Sequence, residues 1–247
     1  FSKLTPGAFS AALGQSFFSL SLGVGTMLTY SSYVSKNENL IVSGAGTAVS
    51  DLIFAMLAGF AIMPAVFAAG IAPSAGPGLV FETLPYIFAK MGAGGQIVSC
   101  LVAILFFLTI LVAALTSSIS ILEVGVAYLV EEKGVSRHKA SVVLFFATFA
   151  VGVLCSLSFG PLSDVKILGD GIFSFCDKMC SNYLMTLGAF LFSVFVGWKM
   201  DKKAVRDELT NGGSIKFNNK LFPVVYSLIK YVAPVTIAVI FITGLVG

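Results

Sequence analysis

The chain has 247 residues, of which 57% are hydrophobic and only 11% are charged, and its mean hydropathy is +0.97. Soluble domains carry about 25% charged residues, so this composition excludes a soluble globular domain and indicates an integral membrane protein. The net charge of +3 is no signal for nucleic-acid binding, because most basic residues lie in loops between apolar segments.

Six apolar segments are long enough to cross a membrane, which takes about 20 residues. No basic leader and cleavage site follow Phe1, so we predict no signal peptide and expect a start inside a longer protein. The predicted fold is an all-α integral membrane domain, residues 1–247, with six transmembrane helices. The predicted spans are 6–33, 40–71, 95–130, 139–159, 171–198 and 221–246.

The first span carries an interruption at its centre. Glycines and small polar residues separate two apolar flanks there, at the depth where lipid excludes water. Glycine costs about 1 kcal/mol per residue in a helix interior, and backbone groups freed at that depth must be satisfied by protein, water or a ligand. We therefore predict a helix unwound at mid-membrane that forms a binding site. The interrupting residues are Ser19, Ser21, Gly23, Gly25 and Thr26.

Basic residues in the loops predict the orientation. Ten of them lie on one side of the spans and three on the other, and the richer side is cytoplasmic by the positive-inside rule. The first span then runs inward and the C-terminus lies outside. The first group is Lys36, Lys133, Arg137, Lys139, Lys199, Lys202, Lys203, Arg206, Lys216 and Lys220; the second is Lys3, Lys90 and Lys166.

The loop 72–94 is more than a linker. Two apolar clusters, 79–84 and 86–89, flank Pro85. We predict a pair of short helices on the outer face that could act as a lid. The polar segment 201–219 is predicted to be cytoplasmic.

Charged residues within spans are rare and usually functional. Asp51 lies near the middle of the second span, where an ionised group costs about 2.5–3.5 kcal/mol or more unless it meets a cation. A cation-binding role is therefore favoured over a hydrogen bond to a neighbouring helix. Glu123, in the inner half of the third span, fits packing, gating and ligand roles equally. Asp177 and Lys178 are expected to be solvated or paired near the outer end of the fifth span.

The third span contains a stripe rich in hydroxyl groups. Such residues more often serve helix packing, yet a hard cation such as sodium takes oxygen ligands. With Ser19, Asp51 and the carbonyl groups of the broken helix, the stripe makes a plausible sodium site. Its members at helical spacing are Ala113, Thr116, Ser117, Ser120 and Ile121.

The four cysteines are expected to be free structural thiols. A metal site would need more ligands nearby, and the single histidine, His138, lies in a distant loop. The cysteines are Cys100, Cys155, Cys176 and Cys180.

Three stretches resemble the neurotransmitter:sodium symporter family, in the family's order and spacing. Residues 17–33 resemble its sixth helix, 76–85 its fourth outer loop, and 115–118 its eighth helix. The resemblance covers essentially the whole chain and is greatest to bacterial members that carry several hydrophobic amino acids. It implies a LeuT-like fold of two inverted five-helix repeats. This chain would supply helices six to eleven, and its partner would be a missing N-terminal half with helices one to five.

The resemblance also implies a role for each matched residue. The substrate would be a hydrophobic L-amino acid, aliphatic or aromatic, carried with sodium at two sites that the missing half completes. Phe18 would be the aromatic lid above the substrate, with Asp177 at the outer gate, Gln15 nearby, and Tyr33 and Glu131 at the inner gate. The implied substrate residues are Phe18, Ser19, Ser21, Leu22, Val24, Ser118 and Ile121. The first sodium site would use Ser19 and Asp51, and the second the Ala113 carbonyl with the Thr116 and Ser117 hydroxyls.

Two departures from the family pattern carry expectations. Asp51 stands where the family commonly has asparagine, and Ala55 stands where chloride-dependent members have serine. Asp51 could itself supply the negative charge, so transport is expected to be independent of chloride. Val24 stands where a leucine-preferring relative has an aromatic residue, which leaves room for larger substrates.

The favoured function is therefore sodium-coupled amino acid symport by alternating access in the cell membrane. An intramembrane aspartyl protease using Asp51 and Asp170 is disfavoured, because Leu168-Gly169-Asp170 lacks the usual preceding glycine. No enzyme activity is therefore predicted. A passive channel stays open, although no ring of charges or repeated filter sequence is present. A proton-coupled transporter using Asp51 or Glu123 also stays open.

Overall fold

The computed structural model describes residues 5–35, 38–70, 78–91 and 96–246. These residues are almost entirely helical, which confirms the predicted all-helical class. The α-helices are α1 Pro6–Ser19, α2 Thr26–Ser31, α3 Leu40–Ala68, α4 Leu84–Met91, α5 Gln96–Glu131, α6 Arg137–Leu157, α7 Ile172–Lys178, α8 Met185–Val194, α9 Lys202–Thr210, α10 Lys216–Ser227 and α11 Ala233–Val246. Wider π-helical turns occupy Leu79–Thr83, Met179–Leu184, Phe195–Lys199 and Leu228–Val232.

Five helical segments are long and apolar enough to cross a membrane within the described ranges. They are Leu40–Ala68, Gln96–Glu131, Arg137–Leu157, Ile172–Lys199 and Lys216–Thr243. The predicted span 6–33 is absent from this set because it is divided between α1, with 14 residues, and α2, with six. Neither part alone has the length of a crossing, so a sixth span stays a prediction.

The N-terminal helix α1 starts and ends for clear local reasons. Thr5 caps it, its hydroxyl accepting a hydrogen bond from the amide of Ala8 at 3.1 Å. Proline follows at the first helical position, where its missing N–H costs nothing. At the other end the backbone turns left-handed at Ser21, with φ of +52°, and this turn ends the helix.

Two of the π-helical turns end two residues before a proline. Pro85 and Pro234 are each the second residue of the α-helix that follows such a turn. Proline lacks an N–H and its ring crowds the carbonyl of the preceding turn, and a wider turn relieves both problems. The segment predicted to lie on the outer face is helical from Leu79 through Met91 without a break at Pro85, where a pair of helices separated by Pro85 was expected. The remaining parts of that loop, 71–77 and 92–95, lie outside the described residues.

A short β-hairpin interrupts the helical pattern in the predicted outer loop before α7. Lys166 pairs with Gly171 and Ile167 pairs with Asp170 in antiparallel register. The two turn residues between the strands, Leu168 and Gly169, have φ of +51° and +94°. Positive φ at both central positions is the geometry that matches the twist of a tight hairpin.

The chain divides into two compact units. The first comprises Phe1–Ala45 with Ser120–Gly247, and the second comprises Gly46–Ile119. In the first unit, α1 packs against α8 and α11, and α9 packs against α10. In the second unit the buried side chains of Val66, Leu84 and Ile87 form a small core.

The long helices leave most of their apolar side chains exposed. Between 6% and 17% of the residues in the most apolar window of each candidate span are buried. Phe54 and Phe60 on α3, for example, are 70% and 69% exposed. Such continuous apolar surface marks contact with lipid or with further protein.

Candidate functional site

The segment between α1 and α2 closes with a defined backbone motif. The amide of Leu22 donates to the Phe17 carbonyl at 2.9 Å, and the amide of Ser21 donates to the Phe18 carbonyl at 3.0 Å. With Ser21 in the left-handed region, these bonds form a Schellman motif. Serine at that position is uncommon, because the left-handed conformation costs a residue with a side chain roughly 1–2 kcal/mol.

Two glycines hold this interruption against α8. Gly23 has φ of +86°, and a Cβ added there would overlap the Met185 carbonyl oxygen and lie 2.8 Å from the Ala189 nitrogen. A Cβ on Gly188 would in turn overlap the Gly23 carbonyl oxygen. The two backbones are therefore in direct contact, and only glycine fits at either position. The sequence hinted at this partner through Gly188, a glycine inside a span, but sequence reasoning missed it.

The predicted substrate residues of the first span cluster around the interruption. Ser21, Leu22 and Val24 are partly buried, while Ser19 is exposed and Phe18 is 53% exposed. Gln15 lies one turn earlier on α1 and is also exposed. The cluster therefore presents a mixed backbone and side-chain surface that further protein or a ligand could cover.

Thr26 is a candidate that sequence reasoning named only as part of the interruption. It begins α2, is 5% exposed, and its buried hydroxyl oxygen has no hydrogen-bond partner among the described residues. An unsatisfied buried polar group costs about 1–3 kcal/mol, and such groups usually meet water or a ligand. Its place beside the interruption makes Thr26 a candidate member of the site.

On α5, Thr116 of the hydroxyl stripe and the neighbouring Ser118 are bonded to their own helix. Thr116 donates to the carbonyls of Ala113 at 2.9 Å and Val112 at 3.2 Å, and Ser118 donates to Ala114 at 2.7 Å. A hydroxyl that donates in this way keeps lone pairs on its oxygen. These oxygens, on exposed residues, are therefore still able to face a cation.

The predicted sodium ligands are distributed over both compact units. Ser19 lies in the first unit, whereas Asp51, Ala113, Thr116 and Ser117 lie in the second. Asp51 is partly buried on α3 and interacts with a neighbouring group. Across the described ranges, no three His, Cys, Asp or Glu side chains are grouped to hold a metal ion. The predicted sodium ligands are mainly hydroxyl and carbonyl oxygens, which belong to none of these four side-chain types.

A polar network joins α2, α5 and α6 in the first unit. The Tyr33 hydroxyl donates to Glu123 at 2.8 Å, and Arg137 donates to the other carboxylate oxygen of Glu123 at 2.7 Å. The Glu123 side chain is only 14% exposed. Tyr33 lies just after α2, and three residues earlier, on α2 itself, the Tyr30 hydroxyl donates to the Ser120 hydroxyl. The sequence leaves packing, gating and ligand roles open for Glu123, and the structure makes it the centre of this network.

Arg137 as the partner of Glu123 was missed in the sequence. The two residues are separated by the end of α5 and the turn before α6, so no helical periodicity connects them. Glu131, predicted for the inner gate with Tyr33, is exposed, and its gating role stays a prediction.

The charged residues near α7 separate into an ion pair and a single carboxylate. Lys178 bonds both oxygens of Asp170, at 2.7 and 2.8 Å, as expected for a paired surface position. Asp177 is exposed and accepts a hydrogen bond from the Ser181 hydroxyl at 3.3 Å. Asp177 is therefore accessible, and the gating role that the resemblance implies for it stays a prediction. The cysteines of the described chain are free thiols, as expected.

Known transporters are similar to this chain over nearly its whole length. The chain is 38% identical over 247 residues to the sodium-dependent transporter YhdH of Bacillus subtilis, covering 100% of this chain and 53% of that one. It is 41% identical over 246 residues to a sodium-dependent transporter of Haemophilus influenzae, covering 99% and 52%. Among solved structures, it superposes on the crystal structure of MhsT in complex with L-phenylalanine. That match has a TM-score of 0.84 and 38% identity, and covers 97% of this chain and 52% of MhsT.

The chain thus spans about half the length of the relatives it matches. The family model for the sodium:neurotransmitter symporter family matches residues 1–247. Together with the five apolar helices, this identifies a multi-pass membrane protein. The chain belongs to the sodium:neurotransmitter symporter family.

Proposed function

We propose that this chain is the second half, helices six to eleven, of a sodium-coupled symporter for hydrophobic L-amino acids. The observation that carries the proposal is the interruption between Ser19 and Thr26, which is held against α8 by the Gly23–Gly188 contact. Relatives named as sodium-dependent transporters support the coupling ion. The likeness to MhsT, whose structure contains L-phenylalanine, supports an aromatic amino acid among the substrates.

In this proposal α1 and α2 are one membrane-spanning helix unwound near mid-membrane, and the chain crosses the membrane six times as a single transmembrane domain. The substrate ammonium meets backbone carbonyls of the unwound segment near Ser19–Leu22, and Phe18 closes over the substrate. Val24, Ser118 and Ile121 line the pocket for the side chain. The substrate carboxylate meets a sodium ion and a half-helix N-terminus, where positive charge favours it.

Sodium occupies two sites made of oxygen ligands, each completed by the N-terminal half. Ser19 and Asp51 serve the first site. The Ala113 carbonyl with the Thr116 and Ser117 hydroxyls serves the second. Because Asp51 supplies a negative charge beside the first ion, no chloride ion is required.

Coupling arises from differential affinity. Sodium favours the conformation that is competent to bind substrate, so each ligand raises the affinity for the other. Transport follows by rocking of one helix bundle against another, with Asp177 and Gln15 at the outer gate and Tyr33 and Glu131 at the inner gate. The protein lies in the cell membrane with its C-terminus outside, and it is a transporter rather than an enzyme.

The test uses the complete transporter containing this chain, reconstituted in liposomes. Uptake of leucine or tryptophan should be concentrative with an inward sodium gradient, and it should stop when choline replaces sodium at fixed pH. Asp51→Ala should abolish sodium-dependent uptake, whereas Asp164→Ala, which removes an exposed carboxylate, should leave it intact.

Each alternative has its own outcome in the same experiment. Uptake that follows a proton gradient in choline would favour the proton-coupled alternative. Uptake that only equilibrates the substrate would favour a channel. Loss of uptake on replacing chloride with gluconate would contradict the chloride-independent mechanism, and an unchanged sodium dependence in Asp51→Ala would contradict the assignment of Asp51.

A further inference from the structure

Lys230 is a charged residue within the 28-residue apolar helix Lys216–Thr243, in the first unit. Its ammonium lies over three aromatic rings, 4.9 Å from the ring centre of Trp198, 5.6 Å from that of Tyr231 and 5.9 Å from that of Tyr226. Ionisable residues inside apolar spans are rare and usually functional. The role of Lys230 is not accounted for by substrate or sodium binding.

Aromatic rings stabilise the Lys230 ammonium without neutralising it. Within the described ranges, the ion pairs are Arg137–Glu123 and Lys178–Asp170, and neither includes Lys230. Cation–π contacts attract the ammonium through the ring quadrupole, but the unit positive charge remains. The cluster therefore keeps an electrostatic attraction for an anion.

The backbone holds this arrangement rigidly. A Cβ on Gly197 would lie 2.8 Å from the Cα of Lys230, so the two helices are in close contact at this level. The Trp198 indole donates to the Lys230 carbonyl at 3.1 Å, and the Tyr226 hydroxyl donates to the Gly197 carbonyl at 3.1 Å. Both helices form a π-helical turn here, Phe195–Lys199 and Leu228–Val232, a distortion often found at functional sites.

A second lysine faces the same aromatic group from α9. The Lys202 ammonium lies 5.4 Å from the ring centre of Tyr226, and α9 is anchored there because Val205 packs with Phe222 and Tyr226. The acidic residue next to it, Asp201, uses its carboxylate to cap α9 by accepting from the amide of Lys203 at 3.1 Å. Further charges on this segment are Lys199, Lys203, Arg206, Asp207 and Glu208, so bases outnumber acids.

The other side of the cluster is exposed and apolar. Trp198 and Tyr231 are 61% and 56% exposed, and Phe195, Val232 and Val235 beside them in sequence are 57%, 52% and 65% exposed. Tryptophan and tyrosine are enriched where hydrocarbon meets the headgroup layer. The surface therefore changes from apolar through aromatic to basic over a short distance, as a phospholipid molecule changes from acyl chain to charged headgroup.

We infer that Lys230, Trp198, Tyr231 and Lys202, here called the Lys230 cluster, bind the phosphate headgroup of an anionic phospholipid. The two lysines supply the charge, the aromatic side chains position the headgroup, and the acyl chains lie on the exposed apolar side chains. Basic pockets beside membrane helices on the cytoplasmic side recognise anionic headgroups in this way. The inference does not depend on the proposed transport activity.

The only tryptophan in the sequence, Trp198, makes the test specific. The complete transporter containing this chain, with any tryptophan outside residues 1–247 replaced by phenylalanine, is reconstituted in bilayers that contain phosphatidylglycerol or phosphatidylcholine with brominated acyl chains, which quench nearby tryptophan. Brominated phosphatidylglycerol should quench Trp198 at a several-fold lower mole fraction than brominated phosphatidylcholine. Lys230→Met, which keeps an unbranched apolar stem, should reduce this preference about fivefold, since one basic residue near an anionic surface contributes about that factor.

The matched control is Lys216→Met, at the far end of the same helix, and it should keep the preference. Lys230→Arg should keep it too, because the charge is retained, and an unchanged emission maximum shows that Trp198 has kept its environment. Equal quenching by the two lipids would overturn the inference, as would an equal loss in Lys216→Met, which indicates general surface charge. Removal of the preference by excess inorganic phosphate would assign the site to a soluble anion and would overturn it as well.

Discussion

The interrupted segment α1–α2 and the long helix α5 both place polar groups among apolar residues. The first exposes backbone groups by breaking the helix, and the second carries hydroxyl side chains on an unbroken helix. The interruption leaves the α-helical conformation over residues 20–25, and it packs directly against a neighbouring backbone. Helix α5 runs for 36 residues without a break, and its hydroxyl groups donate to carbonyls one turn earlier. The freed backbone groups of the interruption therefore depend on tertiary packing, whereas the hydroxyl groups of α5 depend only on the helix that carries them.

The largest effect is expected at the Gly23–Gly188 contact. Gly23→Ala would force a methyl group into the backbone of α8 and place alanine at φ of +86°. We expect a loss of about 3 kcal/mol or more in the free energy of unfolding, at or beyond the upper end for overpacked sites. Thermal unfolding of the purified protein in detergent measures it.

The matched control for that variant is Gly152→Ala on α6, where an added Cβ meets nothing within 4 Å. It should be neutral or stabilise the protein by up to about 1 kcal/mol, because alanine is the better helix former. Equal unfolding temperatures for the two variants would show that the interruption does not depend on α8.

A smaller and more selective effect is expected on α5. Thr116→Val removes a proposed sodium ligand but should leave the helix intact, because the hydroxyl donates to the Val112 and Ala113 carbonyls of its own helix and valine has nearly the same shape. Interactions with a charged partner contribute about 1.5–3 kcal/mol, so the apparent sodium affinity in uptake assays should fall about 10- to 100-fold. The unfolding temperature should barely change.

Thr109→Val is the control on the same helix, since Thr109 also donates to a carbonyl of its own helix, at 2.8 Å. It should preserve sodium affinity. If both variants lose sodium affinity equally, the hydroxyl stripe acts through helix packing. The hydroxyl groups of α5 would then depend on tertiary packing, as the interruption does.

The smallest effect is expected where the two regions meet, at the hydrogen bond from Tyr33 to Glu123. Tyr33→Phe removes this bond but leaves the Arg137–Glu123 pair at 2.7 Å. The uptake rate of the complete transporter should change only a few-fold, with unchanged sodium affinity. Tyr128→Phe, at an exposed position on α5, should have no effect; a change in sodium affinity in Tyr33→Phe would contradict a purely conformational role.

Much of the fold follows from the sequence because apolar length alone defines a membrane helix. The predicted span 95–130 differs from α5 by one residue at each end, and 171–198 begins and ends within one residue of Ile172–Lys199. The span 221–246 was less exact, since its helix begins at Lys216. That first turn is polar, and hydropathy does not detect it.

The contacts between helices could not be read from the sequence in the same way. Ser19–Thr26 was identified from composition, but the approach of Gly23 to Gly188 depends on how α1 packs against α8. The Glu123–Arg137 pair and the rings around Lys230 likewise join residues from different helices. No periodicity within one segment encodes such pairs, so only three-dimensional packing reveals them.

The two parts of the interrupted helix pack against different neighbours, and this makes residues 20–25 a hinge. Helix α1 packs against α8 and α11, while α2 is bonded to α5 through Tyr30, and the turn after α2 through Tyr33. If α5 tilts relative to α8, the bend must be absorbed between these two sets of contacts, where Ser21, Gly23 and Gly25 already have positive φ. The residues that would contact a bound molecule are then also the residues whose backbone bends. A molecule bound there would restrict the bending between α1 and α2.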